Sequence, residues 1–126
     1  MNCPKCTNPM ATVKRDGVEI DRCESCKGLW FDAFEERALR DAKVAAGLDT
    51  GSPRVGEKWD GTGKVRCPRC ESPMVRMVDR DQPHIWYEQC SMCHGRFFDA
   101  GEFLDLSEKT ISEFFSRNRK GERPLN

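Results

Sequence analysis

The sequence predicts a small α+β, metal-stabilised fold built twice from one pattern: a β-hairpin and a short third strand around four cysteines, then an α-helix. Three observations predict it. All eight cysteines fall into four C-x-x-C pairs. The pairs form two arrays, Cys3, Cys6, Cys23 and Cys26, then Cys67, Cys70, Cys90 and Cys93. The flanking segments repeat too: CPKCTNPM matches CPRCESPM, and CESCKGLWFDAFE matches CSMCHGRFFDAGE. Sixteen residues separate the pairs in the first array and nineteen in the second. Both separations suit a four-cysteine zinc site. Duplication of one unit explains the match better than convergence.

Size favours metal as well. The chain has 126 residues. A half of about forty ordered residues cannot bury enough apolar surface to offset its chain entropy unaided. Disulfides are the alternative, and three features oppose them. The chain opens Met1-Asn2-Cys3-Pro4, without a signal peptide. C-x-x-C spacing puts two sulfurs on one turn, and no cysteine is left over. The expected cofactor is therefore Zn2+, two per chain. No stretch reaches the ~18 apolar residues of a membrane span, so a cytoplasmic protein with reduced thiols is expected.

Charge narrows the partners. There are 21 basic and 21 acidic residues, a formal net charge of 0. Eight zinc-bound thiolates add −8 and two metal ions return +4, giving −4. Such a chain has no general pull on phosphate backbones. Only the tail leans basic, with Arg117, Arg119, Lys120 and Arg123 against Glu122.

The elements follow in order. Pro4 and Lys5 fill a tight turn whose N–H groups can point at the sulfurs. Ala11 to Lys14 and Val18 to Arg22 flank Arg15-Asp16-Gly17, a hairpin signal. Val18 and Ile20 share one face, Glu19 and Asp21 the other. The second unit repeats this with Val75 to Val78 and Ile85 to Gln89, its three extra residues falling within Asp79 to His84, in the hairpin loop. Gly28 and Gly95 each follow the last cysteine by two residues, where positive φ is expected. Trp30/Phe31 and Phe97/Phe98 supply a third strand and a small core. Asp32 with Glu35, and Asp99 with Glu102, have capping-box spacing at helix starts. Capping explains these carboxylates without a catalytic pocket. The helices are expected to run to about Ala46, with Gly47 as stop, and from about Ala100 to Asn118. The second carries Phe103, Leu106, Ile111, Phe114 and Phe115 at helical spacing, a stripe expected to pack into a core.

The expected domains are residues 1–46 (first metal unit and helix), 47–63 (Gly-rich linker), 64–120 (second unit and helix) and 121–126 (tail). The linker holds five glycines and one proline, and its Trp59 is expected to pack on a neighbouring unit. With such a linker, replacing one ligand such as Cys23 should unfold its own unit and spare the other. His94 and His84 are expected at the surface, because four cysteines already complete each site.

Each unit resembles the bacterial family of zinc ribbons named for similarity to the ribbon of transcription factor IIB. The resemblance rests on CPKC, CESCKG, Trp30, Asp32 and Glu35 in one unit, and on CPRC, CSMCHG, Phe97, Asp99 and Glu102 in the other. It covers about Cys3 to Leu39 and Cys67 to Leu106. It implies two tandem zinc ribbons with one zinc each. In the eukaryotic factor the comparable ribbon docks on RNA polymerase, so the analogy favours a protein partner and a transcription-related role. Arg96-Phe97 replaces Leu29-Trp30 in the second unit and is expected to give the two units different surfaces.

The expected function is a non-enzymatic zinc-binding module with two structural four-cysteine sites, a protein-interaction adaptor, with no catalytic residues. Four thiolates complete a tetrahedral shell and leave no position for substrate. Candidate contacts are Trp59, the Phe103-to-Phe115 stripe, and the hairpin tips around Arg15 and Arg80. One alternative is a nucleic-acid-binding protein using Tyr87, Trp86, Arg76 and Arg80. Another is a thiol redox or metal-handling protein. Rubredoxin-type iron knuckles usually place glycine right after a cysteine, where this chain has Thr7, Lys27, Glu71 and His94.

Overall fold

The computed structural model of the chain describes residues 1–15, 17–33, 35, 39, 42–60, 65–82 and 85–107. Asp16, His84, Ile111, Phe114, Phe115 and the tail lie outside them, as does the side chain of Trp59.

Each unit forms the hairpin its alternation predicts. Strands β1 (Met10–Arg15) and β2 (Val18–Cys23) pair antiparallel from Met10↔Cys23 to Arg15↔Val18. Gly17, at φ 79°, supplies the left-handed conformation that a two-residue turn requires. β3 (Leu29–Phe31) pairs with β2. The second unit repeats this with β4 (Met74–Val78), β5 (Trp86–Cys90) and β6 (Arg96–Phe98).

The two units are not separate. β3 and β6 pair antiparallel, with Trp30 opposite Phe97, and close one six-stranded sheet in the order β1-β2-β3-β6-β5-β4. Strand alternation then divides the aromatics between its faces. Ile20, Leu29, Phe31, Ile85, Tyr87, Phe98, Phe103 and Leu106 form one core with Leu39, Ala45 and Leu48. Phe31 meets Phe98 edge-on at 5.8 Å and Phe103 at 4.7 Å, so rings from both units share that core. Trp30 and Phe97 point to the opposite face and pack among the cysteines. The two units share one sheet and one apolar core, an arrangement that weighs against the expected independent folding. Each unit completes its apolar layer only with the other's side chains.

The segment expected as a linker is largely structured. Helix α1 (Ala42–Leu48) runs through Gly47, so that glycine is not its stop. Arg22 Nη1 donates to the terminal Leu48 carbonyl at 3.2 Å. Glu35 is helical and its N–H bonds the Asp32 carbonyl, as expected of a helix starting at Asp32, while residues 34, 36–38 and 40–41 lie outside the described residues. Helix α2 (Pro53–Asp60) follows and contains Trp59. A Cβ on Gly56 would collide with the carbonyl of Ala100, so this glycine serves close packing of α2 on the second unit. Residues 102–107 begin the expected second helix, and Phe103 and Leu106 are buried as expected. Among the described residues, no helix is long and apolar enough to cross a membrane.

Candidate metal centres

Four knuckles built alike hold the cysteines. In each, an N–H reaches back four residues: Thr7 to Cys3 O, Lys27 to Cys23 O, Glu71 to Cys67 O and His94 to Cys90 O, at 3.0–3.2 Å. These four residues, each right after a cysteine, take φ of 60–66°. The positive φ expected at Gly28 and Gly95 thus falls one residue earlier, on non-glycine side chains. The glycines have a different cause. A Cβ on Gly28 would collide with the Phe97 ring, and one on Gly95 with the Trp30 ring. Each ribbon's glycine makes room for the other ribbon's aromatic.

The structure brings all eight predicted cysteines together in two groups of four, each with its sulfurs within 4.8 Å of one another. Cys3 and Cys26 lie 3.7 Å apart, Cys6 and Cys23 3.4 Å, Cys67 and Cys93 3.7 Å, and Cys70 and Cys90 3.3 Å. A zinc–sulfur bond of about 2.3 Å implies tetrahedral edges of about 3.8 Å, so each cage fits one zinc ion. The eight thiols are free rather than disulfide-bonded. Backbone N–H groups aim at the sulfurs as the tight turns predict. Ser25 and Cys26 donate to Cys23 Sγ, Arg69 to Cys67 Sγ, and Met92 and Cys93 to Cys90 Sγ, all at 3.4 Å. Such donors spread thiolate charge and favour the ligating form. His94 is exposed and belongs to neither cage.

Neighbouring sulfurs shift one another's protonation. The hydrogen bond with Cys3 lowers the Cys26 pKa to about 5, and the same contact drives Cys3 far up. In the second cage, hydrogen bonds from Ser72 lower Cys70 to about 6, while burial pushes Cys67 up to about 12. Zinc takes the cysteines as thiolates, so metal binding displaces the protons these groups hold.

The turn residues of the first knuckles carry the charges that sequence reasoning missed. Lys5, between Cys3 and Cys6, reaches the second ribbon, where its Nζ lies 2.6 Å from Glu88 Oε1 and 3.2 Å from Asp99 Oδ2. Its side chain is 0% exposed. Arg69, between Cys67 and Cys70, makes the mirror-image contacts with the first ribbon. Its Nη2 lies 3.0 Å from Asp32 Oδ2 and 3.5 Å from Asp21 Oδ2, and its Nε also donates to Asp32. In the repeat alignment Lys5 corresponds to Arg69, Asp21 to Glu88, and Asp32 to Asp99. Matching charges at matching repeat positions were the available signal.

The two acidic residues expected as helix caps are thus differently employed. Glu35 Oε1 does accept the Asp32 N–H at 3.1 Å, one arm of the capping box. The Asp32 carboxylate binds Arg69 and the indole N–H of Trp30, the latter at 3.2 Å. At the second helix, the cap comes from Asp49, which accepts from Gly101 N at 2.8 and 3.0 Å and from Leu104 N at 3.0 Å.

The nucleic-acid candidates separate. Tyr87 is buried at 6% exposure, under Arg96, whose guanidinium lies 4.8 Å from its ring centroid. Trp86 is 37% exposed with Arg76 stacked on it at 4.5 Å. Arg96 also donates to Gln89 at 2.9 Å, whereas its counterpart Leu29 is fully buried.

A doubled hairpin-and-strand unit with a four-thiol cage in each copy defines a tandem zinc-ribbon protein with two zinc sites. The profile of the transcription factor zinc-finger family matches residues 2–40 and 66–109, and the chain belongs to that family. The chain is also similar to the E3 ubiquitin-protein ligase RNF19B of Mus musculus, at 25% identity over 116 residues, covering 88% of this chain and 14% of the ligase. Its similarity to RNF19B of Xenopus laevis is 26% over 116 residues, covering 88% and 15%. The chain thus spans about one-seventh of the length of these curated relatives. No solved structure matches it.

Proposed function

We propose that the protein is a non-enzymatic adaptor: its zinc ions are structural, and its surface docks on a protein partner in transcription. The observation that carries this reading is the cage itself. Four thiols at tetrahedral spacing satisfy zinc and leave no site for water or substrate. The family's description supports the transcription context. Exposed apolar side chains on the second ribbon suit a protein surface: Val75, at 50% exposure, lies with Met77 on one face of the hairpin, and Val78 with Trp86 on the other. Protein docking is favoured over nucleic acid because Tyr87 is committed to the core and the zinc-loaded chain is net acidic.

The test is binding of the zinc-loaded chain to purified core RNA polymerase, beside single-stranded and duplex DNA, over a salt series. The expected result is polymerase binding with shallow salt dependence, lost in Val75→Glu with zinc content unchanged. Binding only to DNA, weakening steeply with salt, would move the nucleic-acid reading to the front. The ligase relatives supply a further control. Ubiquitin transfer by this chain, with activating and conjugating enzymes present, would contradict the non-enzymatic reading.

A further inference from the structure

We infer that the two zinc sites are coupled, so that metal at one raises the affinity of the other. The route is the reciprocal clasp between each knuckle and the opposite ribbon. Lys5 sits between two ligands of the first site and ends on Glu88 and Asp99. Glu88 lies on β5, two residues before Cys90, and Asp99 directly follows β6. Arg69 sits between two ligands of the second site and ends on Asp21 and Asp32. Asp21 lies two residues before Cys23. The turn that wraps one metal is therefore the turn that anchors the strand delivering ligands to the other.

A second contact runs the same way. Gly28 follows Cys26 by two residues and receives the ring of Phe97, while Gly95 follows Cys93 by two and receives that of Trp30. Only an ordered knuckle presents such a cleft. Metal at one site orders its knuckle, and the ordered knuckle holds the other ribbon near its binding geometry. The second metal then meets a site whose ordering cost has already been met. By linkage the effect acts equally in both directions. The Lys5 contacts are fully desolvated and Arg69 is 47% exposed, so Lys5 carries the larger share.

The experiment is a cobalt(II) titration of the full chain against a competing chelator, read by thiolate-to-metal charge-transfer absorption. Cys67→Ser/Cys70→Ser disables the second site, and Cys3→Ser/Cys6→Ser the first. We expect the surviving site in each variant to bind cobalt at least tenfold more weakly than in the unaltered chain. Lys5→Met keeps all eight thiols and should still take two cobalt ions, with the coupling reduced below threefold. If Lys5→Met fails to fold at saturating metal, Arg69→Met gives the same comparison on the half-exposed pair, with a smaller reduction expected. Affinities within twofold between the site-deleted and unaltered chains would overturn the coupling. Coupling unchanged in the clasp variants would overturn the route.

Discussion

Lys5 and Arg69 show how one position in a repeat takes on two energetic weights. Both are the basic residue of a C-P-x-C knuckle, and both bind two carboxylates of the opposite ribbon. Removing the buried Lys5 leaves Glu88 and Asp99 in a desolvated site without their shared cation. We expect Lys5→Met to cost about 3–5 kcal/mol. Arg69→Met, at a site where water screens the partners, should cost about 0.2–1 kcal/mol. Denaturant unfolding of the zinc-loaded variants measures both, and equal costs would contradict the assignment of burial. Gly28→Ala tests the aromatic clasp at the same scale. Its methyl group meets the Phe97 ring, and overpacking of this kind costs about 1–3 kcal/mol in the same assay.

At the scale of elements, the segment between the ribbons is a structural part in its own right. It supplies α1, α2 and the Asp49 cap. Asp49→Ala leaves the N–H groups of Gly101 and Leu104 without their acceptor and should cost about 1–3 kcal/mol. Burial raises the Asp49 pKa, although the N–H donors oppose this. The native state then holds its proton to higher pH than the unfolded chain does. Stability from this group is full below about 3.9 and declines as pH rises through the raised native value. In Asp49→Asn that decline should vanish, as unfolding free energies measured across this range will show. The three-residue insertion in the second hairpin is likewise employed. Asp79 Oδ2 accepts from Asp81 N at 3.2 Å and Gln82 N at 3.0 Å, and Gln82 Nε2 donates to Leu106 O at 3.1 Å. A length difference marked the loop in the sequence. Nothing local marked its hold on a helix twenty-four residues away.

At the scale of the molecule, the β3–β6 pairing makes two ribbons one sheet with one shared core. Removing zinc by chelation should therefore collapse both ribbons together, seen as one coincident loss of near-ultraviolet ellipticity and of amide dispersion. Cys23→Ser should likewise broaden or collapse amide resonances in both ribbons, Phe98 and Tyr87 included. A second ribbon left fully dispersed in that variant would restore the picture of independent units.

The sequence by itself determined the metal ligands, the hairpins, the third strands and the doubling. These depend on local rules: ligand spacing within a turn, alternation along a strand, and a match between repeats. It repeats the basic and acidic positions of the clasp in both copies, but local rules did not single out Lys5 or Arg69. What it could not assign was their partner. Asp32 and Asp99 have capping spacing, and only contact with the other ribbon turned their carboxylates toward Arg69 and Lys5. Gly28 and Gly95, expected to take positive φ, instead make room for aromatic rings that arrive from across the sheet. The tertiary structure decided these points because each depends on residues far apart in the chain, brought together only when two short strands pair.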